Sequence, residues 1–200
     1  MNYLAHTYLS GDNDDIKIGN FLGDWVKGSD YLNYSEDIRT GILLHRNIDS
    51  FTDRHPIVHL SAGRFQQRYA KYSGIIIDIL YDHFLASNWS AFNEMNLHDY
   101  VNRIHNIMLN NLEILPERLQ NHLPGFMNER WIERYATIDG IRDVLDTMSK
   151  RTSLPNETEF AISVMEAFYD NFRYEFFDFF GQIIEFVETK FMIPIYRPES

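Results

Sequence analysis

Ile75-Ile76-Ile77-Asp78-Ile79-Leu80-Tyr81-Asp82-His83-Phe84-Leu85-Ala86-Ser87 is the stretch on which the fold class turns. Its isoleucines alone would suit a buried strand. Asp78, Asp82 and Leu85, however, continue the pattern at helical steps for longer than a strand runs, so the segment reads as a helix over 75–87. Outward from it, apolar residues recur with a period near ~3.6 far more often than ~2, and no repeat of ~20–50 residues is visible. The expectation is an all-α chain.

Shorter helices are expected over 2–9, with Asn2 as the cap, and over 16–27, closed by Gly28. A longer one over 36–53 ends before Pro56. Others are expected over 61–72, 98–111, 116–122, 129–135 and 139–149. Phe160, Val164, Phe168, Phe172 and Phe176 then recur at four-residue steps, with Ile183, Ile184 and Val187 in a separate turn after Gly181. That aromatic stripe reads as core or as a homodimer face. The 6 Pro and 10 Gly are scattered, so no linker divides the 200 residues and one helical domain over 1–200 is expected.

Lys plus Arg number 18 against 29 Asp plus Glu, a net charge of -11, which disfavours a general nucleic-acid binder. The absence of cysteine excludes disulfides, thiolate-zinc sites and cysteine nucleophiles, so a metal would be held by His, Asp and Glu. No basic leader precedes an apolar run, and no stretch approaches the ~20 apolar residues of a membrane span. No membrane association is expected, and the cytoplasm is the expected compartment.

His45, Asp49 and Asp53 lie at i, i+4 and i+8, on one drifting helix face. An imidazole with two carboxylates suits manganese, iron, zinc or magnesium, although a solvated polar face would have the same spacing. Asp78, Asp82 and adjacent His83 sit among Ile, Leu and Phe. A carboxylate there needs a partner, because an unpaired buried charge costs several kcal/mol. Either a metal or a salt-bridge network meets that need. His6 lies in an apolar, aromatic helix and Asp24 among the large apolar groups of Gly19-Asn20-Phe21-Leu22-Gly23-Asp24-Trp25-Val26-Lys27-Gly28. For each the plain alternative is structural, a hydrogen-bonded core His and a salt-bridged Asp. GxSxG, Walker A, GxGxxG and HExxH motifs are absent, so the commonest hydrolase and nucleotide-binding readings have no support. Asp12-Asn13-Asp14-Asp15 lacks the EF-hand pattern and reads as a solvated loop.

NYLAH at 2–6, GNFLGDWVKG at 19–28, GILLHRNIDSFTD at 41–53, DILYDHFLASNW at 78–89 and ERWIERYATIDGIRDVLDTMSKR at 129–151 occur in that order. Together they resemble the acyl carrier protein phosphodiesterase family. The resemblance implies a single helical domain related to a rearranged HD-type metal phosphohydrolase. Its implied activity is removal of the 4′-phosphopantetheine arm from holo acyl carrier protein, with manganese the first choice of metal and iron, zinc or magnesium the others. It further implies that His6, Asp24, His45, Asp49, Asp53, Asp82 and His83 belong to or flank the metal centre, with Arg46 facing phosphate. His45, Asp82, His83 and Asp24 rank first as ligands, and Asp49 ranks first as the base that accepts a proton from water.

An acidic carrier protein needs positive charge to dock on an acidic enzyme. Arg64, Arg68 and Lys71 at i, i+4 and i+7 would supply it on one helix face, although an ordinary solvated face has the same spacing. A hydrolase of nucleotides or other small phosphate esters is the rival within the same chemistry. A helical binding module stabilised by ion pairs is the rival outside it.

Overall fold

The computed structural model describes residues 2–198. Among them every regular element is helical: α1 (Tyr3–Tyr8), α2 (Asp14–Leu22), α3 (Glu36–Arg54), α4 (Pro56–Gly63), α5 (Gln66–Tyr69), α6 (Ser73–Ser87), α7 (Leu97–Asn110), α8 (Glu117–Glu129), α9 (Trp131–Arg134), α10 (Ile138–Arg151), α11 (Thr158–Ala167) and α12 (Tyr169–Phe191). No helix among the described residues is long and apolar enough to cross a membrane.

The pairing of α2 with α3 positions everything that follows. A Cβ on Gly19 would come 2.1 Å from the Ile38 carbonyl oxygen, and one on Gly41 would come 2.2 Å from that of Ile16. Only glycine at both places lets the two backbones touch. Against this pair lies α1, whose N-terminus is held from α6: Asp82 accepts from the backbone N–H groups of Leu4 at 3.0 Å and Ala5 at 3.2 Å. These donors would otherwise be unsatisfied at a helix start, so the carboxylate caps α1 from a distant element. Asn2 caps it locally, accepting from Tyr3 N–H.

The ladder Phe172, Phe176, Phe179 and Phe180 of α12 is buried against Phe65, Tyr81 and Phe84. Phe172 and Phe176 are therefore taken up by the chain's own core, which leaves the expected dimer face without its centre. Phe168 is partly exposed, at the break between α11 and α12. No break occurs at Gly181, through which α12 continues to Phe191.

Other boundaries also differ from expectation. The helix expected over 16–27 runs from Asp14 to Leu22, and Gly23, against the His45 ring, caps its end. Asn13 caps it and Asp14 and Asp15 fill its first turn, so the acidic run expected as a loop is a helix start. The helix expected over 61–72 begins at Pro56, suited to a first turn by its missing N–H, and stops at Gly63. A separate turn over Gln66–Tyr69 ends where Ala70 takes φ 47, so Arg64, Arg68 and Lys71 do not share one continuous helix. A single helix, α8, replaces the one expected over 116–122, and Arg130 at φ 46 separates it from the short α9.

Candidate metal centre

Three elements converge on one point. His6 arrives on α1, Asp24 just past the end of α2, and His45 and Asp49 one turn apart on α3. The His6 Nε2 lies 3.1 Å from Asp49 Oδ1, and the His45 Nε2 lies 3.1 Å from Asp49 Oδ2 and 3.4 Å from Asp24 Oδ1. The two imidazoles stack with centroids 4.1 Å apart. One donor atom from each of His6, His45 and Asp49 falls within 4.8 Å of the others.

Asn20 sets the chemistry of His6. Its amide nitrogen donates to the His6 carbonyl and to Ser10 Oγ, which turns its oxygen toward His6 Nδ1 at 2.8 Å. Nδ1 must then carry the proton and donate. Burial pushes the His6 pKa down to about 4, so at neutral pH its Nε2 is a bare lone pair. That lone pair faces a carboxylate oxygen at contact distance, an arrangement that a cation shared by the two would relieve.

His45 is seated by Gly23, where a Cβ would lie 2.1 Å from the ring Cγ. Its Nδ1 is buried without a hydrogen-bond partner. Burial opposes protonation of this ring, but hydrogen bonds to Asp24 and Asp49 outweigh it and raise the pKa to about 9. Asp24 is held below its ordinary value, chiefly by the His45 hydrogen bond. Burial works to raise the Asp49 pKa, but the His45 hydrogen bond pulls it well below the carboxylate range. In the absence of metal, a proton on His45 thus supplies positive charge between two carboxylates. The donor set of two imidazoles and one or two carboxylates, without sulfur, fits a borderline or hard divalent cation.

Of the residues singled out in the sequence, His6, Asp24, His45 and Asp49 are brought together. Asp24 is exposed, not enclosed among apolar groups as its neighbours suggested, and it reaches the site from the solvent side. Asp53 lies exposed at the far end of α3. Asp82 faces the start of α1, while His83 is engaged by the Tyr135 carbonyl at 2.8 Å and the Tyr169 hydroxyl at 3.0 Å. Asp78 is raised above its ordinary value by burial. None of these four enters the cluster. Arg46 donates to the Val26 and Gly28 carbonyls at 3.0 and 2.9 Å and lies over the Tyr31 ring, so it holds the loop that follows Asp24. Arg64 makes a two-pronged pair with Glu175 at 2.6 and 2.7 Å, whereas Arg68 and Lys71 are exposed, Arg68 3.6 Å from Glu157. Sequence reasoning missed Asn20 and Gly23. Neither carries a charge or a periodic signal, and their roles exist only once α1, α2 and α3 are packed.

Residues 1–183 match the family model described as acyl carrier protein phosphodiesterase. A protein of that name from Yersinia enterocolitica is 38% identical over 76% of this chain and 79% of its own length. Another from Pectobacterium atrosepticum is 32% identical over 95% of this chain and 99% of its own length, and one from Photorhabdus laumondii is 31% identical over 95% and 96%. No solved structure matches the chain. With the match spanning α1, α2 and α3, the elements that carry the His/Asp cluster, this chain belongs to the acyl carrier protein phosphodiesterase family.

Proposed function

We propose that this chain is a metal-dependent phosphodiesterase that releases the 4′-phosphopantetheine arm from the serine of holo acyl carrier protein. The observation that carries the metal dependence is the convergence of one donor atom from each of His6, His45 and Asp49 within 4.8 Å of one another. His6, His45 and Asp49 would hold the ion, in keeping with an HD-type phosphohydrolase, with manganese first and iron, zinc or magnesium as alternatives. When bound, such an ion supplies Lewis-acid polarisation of the phosphoryl group and eases deprotonation of water.

The chain's own residues do the rest. Asn20 fixes the His6 tautomer, and Gly23 and Asp24 fix the His45 ring. Asp24, ionised and open to solvent, takes the role of proton acceptor that Asp49 gives up on becoming a ligand. Arg46 positions the loop carrying Asp24 and Trp25, and any contact with phosphate shares its guanidinium with two carbonyls. Docking of an acidic carrier protein falls to Arg68 and Lys71, since Arg64 is neutralised by Glu175. The reading places the enzyme in the cytoplasm, where carrier proteins serve fatty acid synthesis.

Holo carrier protein incubated with the chelated and the manganese-reconstituted enzyme tests this directly. Metal-dependent appearance of apo carrier protein is expected. A cluster of ion pairs alone would purify without stoichiometric metal and would be indifferent to chelation, and cleavage of small phosphate esters in preference to holo carrier protein would point to the rival substrate class.

A further inference from the structure

A cavity of about 580 Å³ opens beside the cluster, between α1, α2, α8 and α10. Tyr3, Phe21, Trp25, Phe126, Trp131 and Met148 form its walls. Two features tie one end of it to the metal centre. Tyr3 precedes His6 by about one turn on the same face of α1, and Trp25 follows Asp24 directly in the chain. The Asp24 charge also acts on the Tyr3 hydroxyl, whose pKa is raised to about 12, mainly by burial.

We propose that this cavity receives the pantetheine portion of the substrate, threaded away from a phosphate at the His/Asp cluster. The inference rests on the phosphodiesterase reading and adds the part of the chain that grips the arm. Beyond its phosphate the arm is uncharged, a gem-dimethyl group and methylenes separated by two amides and ending in sulfur. The cavity has matching chemistry. Its walls are aromatic, and the charges at its rim, Glu129 and Arg151, are paired with each other at 3.1 Å and call for no ionic ligand. Asn121 at the rim offers hydrogen bonds to the amides.

Gly125 gives a direct way to fill this space, because it lines the cavity and a Cβ placed on it meets nothing within 4 Å. Trp25 and Trp131, two of the 3 tryptophans, report occupancy by their fluorescence. Pantetheine titrated into the full-length enzyme should give a saturable fluorescence change. Keeping even two methylenes out of contact weakens binding by about tenfold, so Gly125→Phe should weaken the titration by at least that and raise the KM for holo carrier protein in proportion. Asn121→Trp, a change at an exposed position on the rim, should act in the same direction and covers the case in which Gly125→Phe does not fold. A wild type that cleaves holo carrier protein yet shows no response to pantetheine, or folded variants with unchanged affinity and KM, would overturn the cavity assignment and leave the phosphodiesterase reading intact. A wild type that binds pantetheine and cleaves nothing would overturn that reading instead.

Discussion

His6 and His45 stack at an interplanar angle of 18°, and each turns its Nε2 to a different oxygen of Asp49. Two protonated rings in that position would repel, so the stack holds one neutral ring against one that the carboxylates keep charged. The site depends on ring placement to within a fraction of an ångström, and that placement rests on backbone features.

Gly23 is the first of these. In Gly23→Ala the new Cβ meets the His45 ring at 2.1 Å, and the ring has to move. Overpacking should cost about 1–3 kcal/mol in stability. Displacing a positioned group by about 1 Å should cost about a hundredfold in kcat/KM. Calorimetry and steady-state kinetics on the same preparation check this, and a variant with wild-type turnover would show that the ring is not seated by Gly23.

Asp82 should impose a pH dependence on stability. Burial raises its pKa from 3.8 to about 7. Between those values the native state keeps a proton that the unfolded chain has released, so the stability contributed by this group is present in acid and lost as pH rises through about 7. Asp82→Asn keeps an acceptor for one of the two α1 N–H groups, loses the other at a cost that does not vary with pH, and removes the titration. Denaturant unfolding from roughly pH 4 to 7 should therefore show wild-type stability falling relative to the variant across the window. Parallel curves would contradict the assignment.

Arg46→Lys should lower stability and turnover together. The guanidinium spans the Val26 and Gly28 carbonyls, which an ammonium reaches one at a time. A loss of about 1–2 kcal/mol is expected from thermal unfolding. Lost turnover with an unchanged Tm would instead mark Arg46 as a phosphate contact.

Arg64 and Arg68 should separate cleanly. Arg64→Glu leaves Glu175 facing a like charge in a mostly buried place and should cost about 3–5 kcal/mol in unfolding free energy. Arg68→Glu should leave stability within about 0.5 kcal/mol and slow association with carrier protein at low salt. Salt-independent kinetics for Arg68→Glu would remove this face as the docking surface.

The all-helical fold was legible because 3.6-residue periodicity is a local property, and the α3 boundaries fall within a residue of expectation for the same reason. His45 and Asp49 were legible as a pair because they share a helix face. The roles of Asp82 and His83 were not. Their buried, apolar flanks correctly demanded partners, but those partners are the backbone groups of Leu4, Ala5 and Tyr135, which leave no mark in a sequence, and the hydroxyl of Tyr169, 86 residues from His83. The Arg64 ion pair was hidden likewise, since Glu175 is 111 residues away along the chain.

His6, His45 and Asp49 are expected to form one metal centre that cleaves holo carrier protein. Its most direct test measures bound metal and apo carrier protein formation together, in wild type, His6→Ala, His45→Ala and, as a comparison, Asp53→Ala. Stoichiometric metal and cleavage in wild type and Asp53→Ala, with both lost in the two histidine variants, is the expected result. Retention of metal and activity in folded His6→Ala and His45→Ala would contradict it.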